Sequence, residues 1–299
     1  MDPFIQYTVV GLTVGVFYAL VALGYTIVYG IVRLINFAHG DVAMVGSYIG
    51  WTLLVSLGVG NLPAPLALAI VFVVPVIASG LLNVGIFEVA YRPLLQRSLL
   101  AILITALAMS QLLENAALLV FGPGVNGYPQ IEQPEAFSIG TTHISYLQLI
   151  LFAVSLILLF SLSIFTYRTA MGTAMRAVAV DRDAALLMGI NVRRVIGVAF
   201  FVGGLLAGAA GVMLGLYYTQ VTFGFGFQLG LRAFTAAVLG GIGNIPGAML
   251  GGVLIGLIEA YSVGYLSSRW QDVIVFGILI AVLIVRPRGI LGERVAERA

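Results

Sequence analysis

Cysteine and lysine are both absent from this 299-residue sequence, and histidine occurs only as His39 and His143. Without cysteine there is no disulfide and no thiolate metal site. Two histidines leave little for a metal centre, so neither a metal nor a cofactor is expected. Without lysine there is no P-loop, whose Gly-Lys-Ser/Thr lysine lies on the phosphates, and no Schiff-base chemistry. Charge of either sign is scarce as well. Charged residues make up 9% of the chain and hydrophobic residues 61%, with a mean hydropathy of +1.11. A soluble domain carries roughly 25% charged residues. Most of this chain must therefore have lipid as its solvent.

What is present is a series of apolar stretches, at 7–31, 40–60, 66–90, 99–121, 146–166, 195–218, 229–241, 246–266 and 270–286. A span needs ~20 apolar residues, so this reads as about eight transmembrane helices. Stretch 229–241 is shorter and is expected as a half-span or re-entrant helix. The expected fold is one all-α polytopic membrane domain over residues 1–299, with no room for a separate soluble domain. The start, Met1-Asp2-Pro3-Phe4, lacks the basic n-region of a cleaved signal peptide, so the first stretch is expected to remain as a span.

Arginine placement sets the expected orientation. If every stretch crosses, only Arg232 and Arg269 fall on one side, and all the other arginines, from Arg33 to Arg298, fall on the other. The positive-inside rule then places the N-terminus outside and the C-terminus in the cytoplasm. The longest outside loop, 122–145, is rich in glycine and proline and carries Glu132 and Glu135.

Several polar or small residues interrupt the apolar pattern. Gly204, Gly208, Gly211 and Gly215 share one face of the sixth span, and Gly247/Gly251 and Gly252/Gly256 repeat the small-xxx-small spacing that lets helix backbones approach. Leu239 to Gly247, with four glycines, Asn244 and Pro246, is compatible with a discontinuous path element or with a tight cytoplasmic turn. Asn36, His39 and Asp41 lie between the first two spans, as a polar turn capped by Asp41 or as a gate. Gln111, Glu114 and Asn115 share a face of the fourth span opposite Leu112, Leu113, Ala116 and Leu119. An ionisable group at that depth should face protein or water, and Arg232 is one available partner for Glu114. Glu88 is expected to pair with Arg92 at the interface. Asn36, His39, Gln111, Glu114, Asn115, Arg232 and Asn244 are the candidate path residues.

Segment 167–194 is the longest on the arginine-rich side. Asp181 is positioned to cap a short helix from about Arg182 to Met188, and Gly189 to end it. Ala184, Ala185, Leu187 and Met188 form its apolar side, suited to lipid headgroups or to a partner's groove.

Six pieces stand out along the chain: Ile35-Asn36-Phe37-Ala38-His39-Gly40-Asp41, Val89-Ala90-Tyr91-Arg92-Pro93, Met171 to Ala177, Asp181 with Gly189-Ile190-Asn191, Arg232 to Gly243, and Pro287 with Gly289 to Gly292. In these pieces the sequence resembles the permease subunits of bacterial branched-chain amino acid ABC importers. The pieces stand in the family's order across nearly the whole chain, and the length is similar to the shorter of the two permease types. Arg232 stands where the family often has lysine. The resemblance implies an ABC importer permease fold in the bacterial inner membrane, and no enzymatic activity of the chain's own. It further implies a second homologous permease, two ATP-binding cassette ATPase subunits and an external substrate-binding protein as partners. The helix formed by Asp181, Arg182, Asp183, Ala184, Ala185, Leu187, Met188 and Gly189 would couple the ATPases to the spans. The implied cargo is leucine, isoleucine or valine. The same architecture with urea, an amide or another amino acid is the nearest alternative. A self-contained channel or secondary transporter is another, although no proton or sodium relay is evident.

The orientation is directly testable. A reporter enzyme that is active only outside the cytoplasm should stay silent when fused after Ala299, and activity there would reverse the assignment.

Overall fold

The computed structural model describes residues 2–95, 97–129, 135–139 and 142–292. Glu132 and Pro134 of the long loop, and Arg294 and Arg298 near the C-terminus, lie outside the described residues. The helices in chain order are α1 (Asp2–Val32), α2 (His39–Val55), α3 (Ala64–Ile86), α4 (Leu99–Phe121), α5 (Tyr146–Arg168), α6 (Ala170–Val180), α7 (Arg182–Leu187), α8 (Val192–Tyr218), α9 (Phe225–Gly240), α10 (Ile245–Tyr265) and α11 (Gln271–Val285). A π turn over Phe87–Tyr91 continues α3. Among the described residues, seven helical segments are long and apolar enough to cross a membrane: those built on α1, α3, α4, α5, α8, α10 and α11.

Two further helices of the bundle are short. α2 has 17 residues and α9 has 16, or about 25 Å each at 1.5 Å per residue, against a hydrocarbon core of about 30 Å. α9 starts at Phe225, earlier than the apolar stretch suggested. α2 ends at Val55, where a left-handed Gly58 (φ 66°) turns the chain. Both helices are largely covered by protein, so neither has to satisfy the full thickness of lipid.

α1 and α8 form the centre and are mostly buried, whereas almost none of α11 is fully buried. α8 packs on α2 and α3 and α1 packs on α10, in each case through small residues. A Cβ added to Gly204 would lie 2.6 Å from the Ser79 carbonyl oxygen of α3, and one added to Gly208 would lie 2.6 Å from the Ser79 side chain. On the other pair, Gly252 of α10 backs onto Ala19 of α1, and Gly256 backs onto Gly15. Both glycine stripes are therefore close-approach surfaces.

Helix starts are chemically marked. Ser98, Thr169, Asp181, Asn191 and Asn244 each accept a backbone N–H from the first turn they precede, and Ser145 with Gln148 completes a capping box. Two small antiparallel ribbons lie at the end of the bundle where α1 begins. β1 (Asn126–Gly127) pairs with β4 (Gln220–Val221), and β2 (Glu135–Ile139) pairs with β3 (Thr142–Ser145). The opposite end carries α6, α7, the α9–α10 turn and residues 286–292.

Gly252→Val should overpack the α1–α10 seam, at a cost of about 1–3 kcal/mol. The expected result is a lower melting temperature in detergent and a lower membrane yield. An unchanged melting temperature would mean that the seam relaxes freely.

Candidate functional site

The chemistry-bearing residues collect at three places. The first is an ion cluster deep among α1, α9, α10 and α11. Arg232, on α9, donates from Nη1 to Glu259 Oε1 of α10 (3.3 Å) and from Nη2 to Asp272 Oδ1 of α11 (2.7 Å). The Tyr18 hydroxyl donates to the same Glu259 Oε1 (3.0 Å), and Gln271 Nε2 donates to it as well. Glu259 is 5% exposed. Glu114, offered by the sequence as a partner for Arg232, is not one; Glu259 and Asp272 hold that place. The cluster forms part of the wall of a cavity of about 490 Å³. Gln6, Tyr7, Val10 and Val14 of α1, Leu214 and Tyr218 of α8, Gln228 and Leu229 of α9, and Ala260 of α10 also line it. This cavity lies toward the end of the bundle where α1 begins.

The second place is the polar turn before α2. Asn36 is buried, donating from Nδ2 to Asn83 Oδ1 (3.2 Å) and accepting from the Tyr91 hydroxyl (2.6 Å), while Asn83 Nδ2 donates to the Phe200 carbonyl (2.6 Å). His39 packs edge-on to Tyr25 and fills the space left by Gly24. Asp41 does not cap α2. Ala38 holds that position without a side-chain bond, and Asp41 instead accepts from Ser110 of α4 at 2.5 Å. These residues join α2, α3, α4 and α8 inside the protomer rather than lining the cavity. Asn244 likewise serves a turn. Its Oδ1 caps α10 at Gly247 N (3.0 Å) and its Nδ2 donates to the Leu291 carbonyl (2.6 Å). Gly241 and Gly243 have φ of 107° and 96°, values suited to glycine. Of the two readings left open for this segment, the geometry is that of a tight turn.

On α4, Gln111 donates to Glu114 (3.1 Å), and Asn115 donates to the Gln111 carbonyl (2.7 Å). Gln111 and Asn115 are exposed and Glu114 half-buried, so the protomer itself leaves this face open. The expected opposite face is corrected too. Leu113 is buried toward the core, whereas Leu112 and Leu119 are exposed.

The third place is α7. Asp181 Oδ1 accepts from Asp183 N and Ala184 N, each at 3.0 Å, as its spacing implied. Gly189, at φ 80°, ends the helix, with Gly189 N donating to Leu186 O and Ile190 N to Ala185 O, each at 3.0 Å. This is a Schellman closure. The expected contact surface needs one correction: Ala185 is only 3% exposed, covered by its own chain, whereas Leu187 is 90% and Met188 82% exposed. Arg182 donates from Nη2 to the carbonyls of Ile31 (3.1 Å) and Val32 (3.0 Å), the unsatisfied C-terminal end of α1. Glu88 pairs with Arg92 (2.7 Å), as expected, and also with Arg193 (2.9 Å), which was not foreseen.

Long apolar helices packed through small residues, a buried ion cluster beside a cavity and an exposed capped helix at the far end together describe a multi-pass transport protein. The chain belongs to the family described as "Branched-chain amino acid transport system / permease component", which it matches over residues 7–283. It is 43% identical to the high-affinity branched-chain amino acid transport system permease protein BraD of Pseudomonas aeruginosa, over 99% of this chain and 98% of that protein. It is 42% identical to LivH of Escherichia coli K12, a permease of the same description, over 99% and 97% of the two chains. A probable branched-chain amino acid transport permease of Methanocaldococcus jannaschii is 32% identical, over 91% and 88%.

Removing one member of the buried pair should cost about 3–5 kcal/mol, because the other charge is stranded. Glu259→Leu should therefore melt well below wild type, and Arg232→Leu combined with Glu259→Leu should recover part of the loss. A double variant no more stable than Glu259→Leu would show that the two side chains are not coupled.

Proposed function

We propose that this chain is one permease half of an ATP-binding-cassette importer that moves leucine, isoleucine and valine into the bacterial cytoplasm. Its full-length likeness to high-affinity branched-chain amino acid permeases carries the reading. The N-terminus faces outward and the C-terminus the cytoplasm, which puts the cavity at the outer end and α7 at the inner end. An external binding protein delivers the amino acid, and two ATPase subunits supply the work. The exposed polar face of α4, with Gln111, Glu114 and Asn115, then meets the second permease or the water-filled path between the two, since unpaired charge against lipid costs ~2.5 kcal/mol or more. Leu187 and Met188 of α7 insert into a groove of an ATPase, because an amphipathic helix presenting two apolar side chains to water is suited to such a groove.

Deleting the gene should abolish high-affinity uptake of labelled leucine, and restoring it should recover uptake. Uptake that responds instead to urea or a short amide would keep the architecture and change the cargo. Leu187→Arg with Met188→Glu should leave the membrane level near normal, cut uptake at least tenfold and weaken ATPase co-purification. Uptake that persists in preparations and cells lacking any ATPase partner would replace the importer by a channel or secondary transporter.

A further inference from the structure

The ion cluster is incompletely satisfied in a way that describes a ligand. Every donor that reaches Glu259 converges on Oε1, and Oε2 is buried with no partner. Arginine carries five N–H donors. The Nη groups of Arg232 are engaged with Glu259, Tyr18 and Asp272, and Nε is buried with no acceptor. A buried donor or acceptor left without a partner is costly, more so when it is charged. The two residues that carry such atoms here, Arg232 and Glu259, both line the same cavity, whose 490 Å³ falls in the ordinary range for small-molecule sites of about 300–1,000 Å³.

We propose that this cavity is a binding site, inside the single permease subunit, for an aliphatic α-amino acid in its zwitterionic form. The α-carboxylate accepts from Arg232 Nε, the α-ammonium donates to Glu259 Oε2, and the branched side chain packs among Val10, Val14, Leu214 and Leu229. Neither orphaned atom is itself solvent-exposed, so docking includes a side-chain rotation at Glu259 or Arg232. Net charge selects the ligand. A lone anion would face Glu259, and a lone cation would face Arg232, whereas a zwitterion offers each charge its complement. The inference deepens the function proposed above and rests on it. It adds an initial holding point at the end of the bundle away from α7, before the amino acid enters the path shared with the second permease.

The test uses the intact chain purified with its partner subunits, its melting followed by tryptophan fluorescence from Trp51 and Trp270. At about 10 mM, L-leucine should raise the melting temperature by about 2 °C or more through mass-action stabilisation. Leucinol, which lacks the carboxylate, and 4-methylpentanoate, which lacks the ammonium, should produce no shift. Glu259→Gln keeps an acceptor for Tyr18 and Arg232 but removes the charge, and Val10→Phe fills the cavity from its half-buried face. Both should abolish the leucine shift; Val10→Phe should melt near wild type without ligand, and Glu259→Gln below it, because Arg232 loses its buried counter-charge. If Glu259→Gln does not fold, Val10→Phe decides alone. A leucine shift that survives the variants, or is shared by either analogue, places binding elsewhere and overturns the site. Absence of any shift in wild type, in a strain that still takes up leucine, overturns the site and leaves the importer reading intact, with ordered water as the groups' partner. Absence of both shift and uptake removes the functional reading itself.

Discussion

Lipid offers no hydrophobic reward for bringing two apolar helices together, so the bundle depends on backbones that come close enough for dispersion contacts to accumulate. That is the role of the glycines between α1 and α10 and between α8 and its two neighbours α2 and α3. Once these seams exist, the remaining architecture follows from them. α1 and α8 become central, α2 and α9 are free to be short because protein rather than lipid surrounds them, and α11 stays on the periphery. The same seams keep Arg232, Glu259 and Tyr18 within reach of each other, although Tyr18 lies 241 positions from Glu259.

The spans and their ends were legible because the signals are local. Apolar length, Asp181 before a short helix and Gly189 after it can each be read within a short window of the chain. The face of a helix was less legible. In a soluble protein an apolar stripe marks the core, but in lipid the outer face is apolar too, so Leu112 and Leu113 look alike while only Leu113 is buried. Ala185 presented a similar ambiguity, since a small apolar residue on a short helix suits a partner's groove and its own core equally. Helix α6 escaped notice because its residues, Ala170 to Val180, mix small, polar and apolar types without a strong breaker before Asp181.

The buried charges show the limit of one-dimensional reading most clearly. Glu114 was identifiable as costly at membrane depth, but the sequence offered it to Arg232. The actual partner, Glu259, lies 27 positions along the chain from Arg232, and the choice between the two acids is made by how α9 and α10 fold back at the Gly241–Asn244 turn. Asn244 does not touch the cluster; it caps α10 and holds Leu291 at the turn that joins the two helices.

The hydrogen bonds from Arg182 to the last carbonyls of α1 have a mechanical meaning. α1 is 31 residues of uninterrupted helix, a rod of about 46 Å. At one end it is tied to α7, and toward the other its Tyr7, Val10, Val14 and Tyr18 form a wall of the cavity. The contact with α7 and the cavity wall therefore belong to one rigid element, and no loop or hinge separates them.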